Sequence, residues 1–196
     1  MREFKILSIV AIVSFFAISL NGQDRFITQH IDSTSLISTK GKIVEVIVPQ
    51  KFHLNSKGKT FLTGKDRITL AIDLPENTKE WYYYVCAVGE GSARNIQLVS
   101  QMSVLMVMRY ASVSQIKVEN GSSYCNVYVL PDELSRSKFE NKLKPYNYIV
   151  PVSRSNFSSG VVKCPVLSNK IWLGIENTRK IHSVDVTIEV VAIVQN

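Results

Sequence analysis

Hydrophobic and polar side chains alternate along much of the chain after residue 40, as they do in half-buried β-strands. In segment 68–74, four aliphatic residues alternate with Thr69, Ala71 and Asp73, and the run closes on Pro75. A similar alternation, or an apolar run rich in β-branched and aromatic residues, marks six further segments. These are 43–48, 81–88, 124–130, 161–167, 171–176 and 184–194. The sequence therefore predicts seven strands.

Segment 184–194 is the most regular of these runs. Its apolar set is Val184, Val186, Ile188 and Val190, and its polar set is Asp185, Thr187 and Glu189. Because strand side chains alternate between faces, we expect the apolar face, including Ile188, to lie in the core and the polar face to meet water. One-sided burial of this kind is typical of antiparallel sheets packed as a sandwich.

Proline and turn-forming residues separate the strands. Pro49, Pro75 and Pro131 each follow a predicted strand directly. Since proline cannot donate a ladder hydrogen bond, we expect each of them to end its strand. Turn chemistry at Gly58 and Gly121 fits a meander, and neither an internal repeat nor a linker divides the chain into two domains.

Two segments have helical spacing instead. Apolar residues recur every three or four positions between Asn95 and Arg109, which predicts an amphipathic helix of about four turns. A second, shorter helix fits residues 132–143, where Asp132 can cap the first turn and Pro145 excludes continuation. The predicted fold class is therefore mainly β, an antiparallel β-sandwich with one inserted amphipathic helix and a second short helix.

The N-terminal residues have the order of charge and hydrophobicity found in signal peptides. Arg2 and Lys5 precede an apolar run over 6–20, and polar residues return at Asn21. The alternative is a membrane anchor, but a spanning helix needs about 20 apolar residues and this run is shorter. We predict a signal peptide (1–22), a flexible lead-in (23–40) and a single β-sandwich domain (41–196). The mature protein is then secreted or periplasmic and has no transmembrane segment.

Charge narrows the choice of partners. The formal net charge of +7 becomes +6 once residues 1–22 are removed. In an exported protein this favours an envelope protein or an anionic polymer or surface and makes nucleic acid a poor candidate. Most of the excess lies in residues 40–67, where seven basic residues stand against two acidic ones.

Four residues of this basic segment are candidates for partner contact. They are Lys57, Lys59, Lys65 and Arg67. Lys57 and Lys59 flank Gly58 at a predicted hairpin tip, which presents charge readily to an anionic surface. The alternative, which we favour, is ordinary solubilising charge on loops and edge strands.

The aromatic run at residues 81–84 has two interpretations. A strand places two of the four rings on each face, so one pair faces the core. Tyr82 and Tyr84 form the other pair and are candidates for contact with a ligand or partner. The alternative, which we prefer, is that the predicted helix covers them.

Cysteine and motif content provide no catalytic assignment. Cys86, Cys125 and Cys164 are an odd number in apolar or alternating segments, which leaves buried thiols, one disulfide or a catalytic thiol as alternatives. The histidines lack metal-ligand spacing, and the glycine cluster at 89–92 lacks the lysine of a phosphate loop. We therefore predict no cofactor and no metal, and assign no catalytic residue.

The C-terminal half resembles known exported sandwich modules. Residues 170–177 form an aromatic strand that ends in a small residue and Asn177, and strict alternation follows over 184–190. The pair Asp66 and Arg67, entering the strand before Trp81, is similar to their first half. The pattern resembles bacterial pre-peptidase C-terminal domains, eukaryotic GOLD domains and uncharacterised secreted bacterial proteins. The resemblance implies a jelly-roll or GOLD-like sandwich that acts as an accessory or interaction module, and it carries over no site residue.

Two classes of function follow. The first is an exported, non-enzymatic β-sandwich that binds or scaffolds a protein or acidic polymer at the cell envelope. The second is a secreted hydrolase or carbohydrate-processing protein whose carboxylates converge only in three dimensions, about 5–10 Å apart. A concave cavity that holds two such carboxylates would favour the second class.

Overall fold

The structure is a computed structural model that describes residues 36–37, 40–60, 64–92, 97–108 and 111–195. The predicted signal peptide and most of the predicted lead-in lie outside these residues. Of the lead-in, Leu36 forms an isolated β-bridge with Ser112, and Ile37 is buried. In the described ranges, none of the helices has the length and apolar character needed to cross a membrane.

Eight strands within the described ranges form two antiparallel four-stranded sheets. The first sheet contains, in spatial order, β1 (Lys42–Leu54), β8 (Val184–Val194), β3 (Thr78–Gly89) and β6 (Ser159–Pro165). The second contains β2 (Arg67–Asp73), β7 (Lys170–Glu176), β4 (Cys125–Leu130) and β5 (Arg154–Phe157). Seven of the eight match the predicted strands. The sequence missed β5 because its four residues show no apolar alternation.

The two sheets pack face to face around one shared core. Trp81 and Tyr83 of β3 meet Val127 of β4 and Leu173 of β7 there. Ile188 of β8 lies in the same cluster and is fully buried, as predicted. This arrangement confirms the mainly β, antiparallel sandwich class.

Two helices cover the outer faces of the sheets. α1 (Leu98–Met106) packs Met102 against Tyr82 of the first sheet, and α2 (Glu133–Glu140) packs Phe139 against Trp172 of the second. Both predicted helices are confirmed in position, although residues 95–96 and 109 of the first lie outside the described ranges. Asp132 caps α2 as predicted, because its carboxylate accepts a hydrogen bond from the Ser135 N–H at 2.7 Å.

The outer face of β8 differs from the sequence expectation. Asp185, Thr187 and Glu189 are only 4%, 6% and 1% exposed. β8 is a central strand between β1 and β3, and α1 lies over this face of the sheet. The prediction that these polar side chains face water is therefore wrong, because a covering layer buries both faces of the strand.

Pro49 also differs from the expectation, because it does not end β1. The strand continues to Leu54 and pairs with β8 up to Val184. The register shifts between Ile47 and Gln50, and β1 lies at the edge of its sheet. An edge strand tolerates proline at such an irregularity because no ladder hydrogen bond is needed from it there.

Candidate binding site at the loop end of the sandwich

Several connections meet at one end of the sandwich. Leu54 at the end of β1 pairs with Val184 at the start of β8, and Val184 pairs with Gly89 at the end of β3. In the second sheet, Arg67 and Glu176 pair at the same end. The connecting residues 55–60, 64–66, 90–92, 117–124 and 177–183 therefore lie together, and this region is termed the loop end.

The basic tip at Lys57 and Lys59 is fixed by contact with the connection between β7 and β8. The Lys57 N–H donates to the Arg179 carbonyl at 2.9 Å, and the Gly58 N–H donates to the Lys180 carbonyl at 3.0 Å. A Cβ at Gly58 would lie 2.8 Å from that Lys180 oxygen, so glycine is needed for the close approach. Two basic segments that are far apart in sequence thereby become neighbours.

Asn177 organises the same connection. Its fully buried Nδ2 lies within hydrogen-bond distance of the carbonyls of Leu54, Asn55 and His182, at 3.3, 3.1 and 2.9 Å. Its Oδ1 accepts from the Arg179 N–H at 3.0 Å. Because one amide side chain holds both connections, the positions of the loop-end cations are determined by the fold.

The predicted contact lysines remain accessible. The side chains of Lys57 and Lys59 are 46% and 52% exposed, and they lie 3.6 Å from Glu176 and 3.4 Å from Glu90. The Lys59–Glu90 pair is exposed on both sides and contributes about 0–1 kcal/mol, so it does not prevent contact with another anion. Glu176 is buried and already pairs with Arg67 at 2.6 Å, which leaves the half-exposed Lys57 side chain accessible. Lys65 is exposed as well.

Arg67, unlike the three lysines, is largely buried and held by contacts within the fold. Its side chain is 11% exposed, and it donates to Glu176 Oε1 at 2.6 Å and to the Phe139 carbonyl at 2.7 Å. Its guanidinium also lies 4.9 Å from the centre of the Phe139 ring. The sequence grouped Arg67 with the lysines, whereas the structure places it between β2, β7 and α2.

Tyr82 and Tyr84 lie under α1. Both are fully buried in a cluster with Leu98 and Met102, while Trp81 and Tyr83 face the core between the sheets. The Tyr82 hydroxyl donates to Glu80 Oε1 at 2.6 Å. Burial raises the pKa of both phenols above the ordinary value. The helix covers the two rings, so they present no surface to a ligand.

A cavity of about 200 Å³ opens at the loop end. Its lining residues come from three connections and carry cations, one carboxylate and one hydroxyl. They are Lys59, Gly89, Glu90, Arg179, Ile181, His182 and Ser183. Lys59 is the one predicted contact residue among them. The sequence could not indicate the others, because their meeting depends on how the loops pack.

Arg179 and Ser183, two of the lining residues, differ in their surroundings. Arg179 is held from behind, since it donates to Ser123 Oγ at 2.7 Å and lies 5.2 Å from the centre of the Tyr124 ring. Ser183 is 3% exposed, and its Oγ has no hydrogen-bond partner in the described part of the chain. A buried hydroxyl without a partner is uncommon in proteins.

A histidine–carboxylate pair lies nearby on β1 and β8. His53 Nδ1 is 2.7 Å from Asp185 Oδ1, and Lys51 Nζ is 3.0 Å from Asp185 Oδ2. The Gly91 N–H also donates to this carboxylate, at 2.9 Å. Burial alone would raise the pKa of Asp185, but the hydrogen bonds outweigh it and lower the pKa below the ordinary value. The sequence missed this pair because it placed Asp185 in water.

The three cysteines form no disulfide with one another. Cys86, Cys125 and Cys164 are all free and buried. Among the described residues, no three His, Cys, Asp or Glu side chains are close enough together to hold a metal ion.

Comparison with protein-family models, with curated proteins and with solved structures finds no match for this chain. The fold and the site therefore define the class on their own: a mainly β, antiparallel sandwich with a basic loop end.

Proposed function

We propose that the protein is an exported, non-enzymatic β-sandwich that binds an acidic polymer at the cell envelope through its loop end. Export rests on the charge and hydrophobicity pattern of residues 1–22. The observation that supports the binding surface is the pair of backbone hydrogen bonds that joins Lys57 and Gly58 to the carbonyls of Arg179 and Lys180. A charged chain laid across the loop end would meet both basic segments at once.

The distribution of charge supports an anionic partner. Glu176 and Asp66 are buried and lie beside cations, 2.6 Å from Arg67 and 2.9 Å from Lys142 respectively. The exposed or half-exposed cations Lys57, Lys59, Lys65, Arg179 and Lys180 therefore dominate the surface around the tip. Such a patch raises the encounter rate with anions and is screened by salt.

The carbohydrate-processing alternative needs two carboxylates in one cavity. Glu90 is the only carboxylate among the described residues that line the loop-end cavity. With no observation in its favour in this part of the chain, that alternative stays a prediction.

The proposal is tested with polygalacturonate, an acidic polymer without sulfate. We expect salt-sensitive retention of the protein and a loss of affinity of about ten-fold or more in the Lys57→Ser/Lys59→Ser double variant, since each lysine contributes about 1 kcal/mol near an anionic surface. The Lys42→Ser/Lys79→Ser variant is the matched control, because it removes the same charge at exposed positions at the opposite end of the sandwich. Equal affinities of the two double variants, or retention that salt does not affect, would overturn the proposal.

Export is tested separately by N-terminal sequencing of the protein recovered from envelope fractions. We expect a mature chain that begins near Gln23 and is recovered without detergent. Recovery of the chain with an intact Met1 would contradict export by a cleaved signal peptide.

A further inference from the structure

The size of the loop-end cavity limits what it can hold. Its volume is about 200 Å³. Pockets for drug-sized ligands have about 300–1,000 Å³, so this cavity is suited to one small unit and not to a folded peptide segment. If the partner is a polymer, the cavity receives one repeat unit while the rest of the polymer crosses the surrounding basic surface.

The cations of the cavity are suited to a single carboxylate. Arg179 is already oriented by Ser123 and Tyr124, so little side-chain entropy is lost when a ligand binds its remaining N–H groups. A planar guanidinium can pair with a carboxylate through two parallel hydrogen bonds. Lys59 adds a second positive charge from the opposite connection.

Glu90 favours an anion that carries hydroxyl groups over an anion such as sulfate or phosphate. Its carboxylate accepts hydrogen bonds but cannot donate them, so it repels sulfate or phosphate and attracts hydroxyl groups. It is 59% exposed and lies 3.4 Å from Lys59. A ligand with one negative charge and neighbouring hydroxyls satisfies the cations and Glu90 together.

Ile181 completes this arrangement. Ile181 is 74% exposed at the cavity and offers an apolar surface to the C–H face of a sugar ring.

From these contacts we infer that the cavity binds a uronic acid unit of the acidic polymer, with the carboxylate at Arg179 and Lys59 and the hydroxyls at Glu90. This inference rests on the proposed function and specifies the ligand class of the same site.

The test titrates the whole exported chain with D-glucuronate, D-glucose and inorganic sulfate, followed by NMR. We expect glucuronate to bind about ten-fold more tightly than either of the others, because only glucuronate meets the cations and the acceptors together. Glucuronate binding no tighter than sulfate would overturn the inference.

Two substitutions separate a sugar-acid site from a simple cation patch. Glu90→Ala should weaken glucuronate binding while strengthening sulfate binding, because it removes a hydroxyl acceptor and a negative charge at once. Arg179→Lys keeps the charge and should still weaken glucuronate binding by about three- to ten-fold, because an ammonium group cannot pair with a carboxylate through two parallel hydrogen bonds. Glu76→Ala lies at an exposed turn outside the loop end and should change the affinity for neither ligand.

The outcomes distinguish this inference from the proposed function. If Glu90→Ala strengthens the binding of both anions, the site is only a cation patch and the inference fails. If the Lys57→Ser/Lys59→Ser variant loses polygalacturonate while glucuronate binding is unaffected by Glu90→Ala and Arg179→Lys, the proposed function stands and the inference fails. If neither glucuronate nor polygalacturonate binds, both fail.

Discussion

At the scale of single residues, the buried carboxylate of Asp185 links the stability of the fold to pH. Burial opposes ionisation of this group, but the hydrogen bonds from His53, Lys51 and the Gly91 N–H lower its pKa below the ordinary value. A carboxyl group whose pKa is lower in the folded than in the unfolded protein stabilises the fold above the unfolded value of about 3.9. That contribution is lost as the pH falls through the folded pKa.

We therefore expect the free energy of unfolding to decrease in acid below about pH 4, and to decrease less steeply in the Asp185→Asn variant. The variant should also be less stable near neutral pH, because it replaces an ionised acceptor of three hydrogen bonds. Urea unfolding at a series of pH values measures both effects. Asp73→Asn, at an exposed carboxyl on β2, is the control. An acid slope in Asp185→Asn equal to that of the parent protein would contradict the assignment.

Two isoleucines provide a matched pair for the core. Ile188 is fully buried between the sheets, whereas Ile181 is 74% exposed at the loop end. Ile188→Ala should lower the free energy of unfolding by about 2–5 kcal/mol, because the truncated side chain leaves a cavity. Ile181→Ala makes the same chemical change and should cost less than about 0.5 kcal/mol. Similar urea midpoints for the two variants would contradict the assignment of Ile188 to the core face of β8.

At the scale of elements, α1 depends on a residue from another strand. Gln97 precedes the helix without capping it through its side chain. The Glu189 carboxylate of β8 accepts hydrogen bonds from the Leu98 and Val99 N–H groups instead, at 2.7 and 3.0 Å. Burial raises the pKa of Glu189, although these two donors oppose the shift. The carboxylate satisfies two of the free N–H groups at the helix N-terminus and joins α1 to the first sheet.

Glu189→Ala should therefore lower the free energy of unfolding by about 2 kcal/mol or more, since it leaves two N–H groups at a buried helix end without acceptors. Glu189→Gln retains one amide oxygen as an acceptor, so its free energy of unfolding should fall less. Urea unfolding measures the stability, and hydrogen exchange at the Leu98 and Val99 amides shows whether the helix start is affected. If Glu189→Ala is as stable as Glu76→Ala, the carboxylate does not support α1.

The two helices show why elements differ in how well a sequence predicts them. Asp132 is adjacent to the start of α2, so the cap and the helix are visible in one short segment. The acceptor for α1 is 91 residues away from Leu98. Alternation along β8 identified the core face correctly, but it contains no information on what covers the opposite face, and Glu189 was therefore predicted to meet water.

At the scale of the whole molecule, the candidate site was predicted only in part. The tip at Lys57 and Lys59 follows from local turn chemistry and charge. Its proximity to Arg179 depends on the packing of two connections, which requires glycine at position 58 and the buried side chain of Asn177. Arg67 was grouped with the lysines because charge alone does not indicate that α2 covers the start of β2.

The molecule has four layers, which are α1, the first sheet, the second sheet and α2. This arrangement predicts how fast each of the three thiols reacts. Cys86 lies between the first sheet and α1, whereas Cys125 and Cys164 lie between the sheets. Burial raises the pKa of Cys125 to about 12 and raises that of Cys164 well above its ordinary value. Because the thiolate is the reactive form, we expect slow labelling of the native protein near pH 8. All three thiols should react once the protein is denatured without a reductant, and a smaller number would contradict the free cysteines.

The order in which the three cysteines are labelled should identify the layer that opens first. If α1 is held to the sheet by the Glu189 carboxylate, Glu189→Ala increases local opening of the helix layer and accelerates labelling of Cys86. Cys125 and Cys164 are exposed only when the two sheets separate, so they should react more slowly than Cys86 in the parent protein and in the variant. Mass spectrometry of labelled peptides resolves the three rates. Equal labelling rates at all three cysteines would show that α1 and the sandwich open as one cooperative unit, and that the helix is not a separable layer.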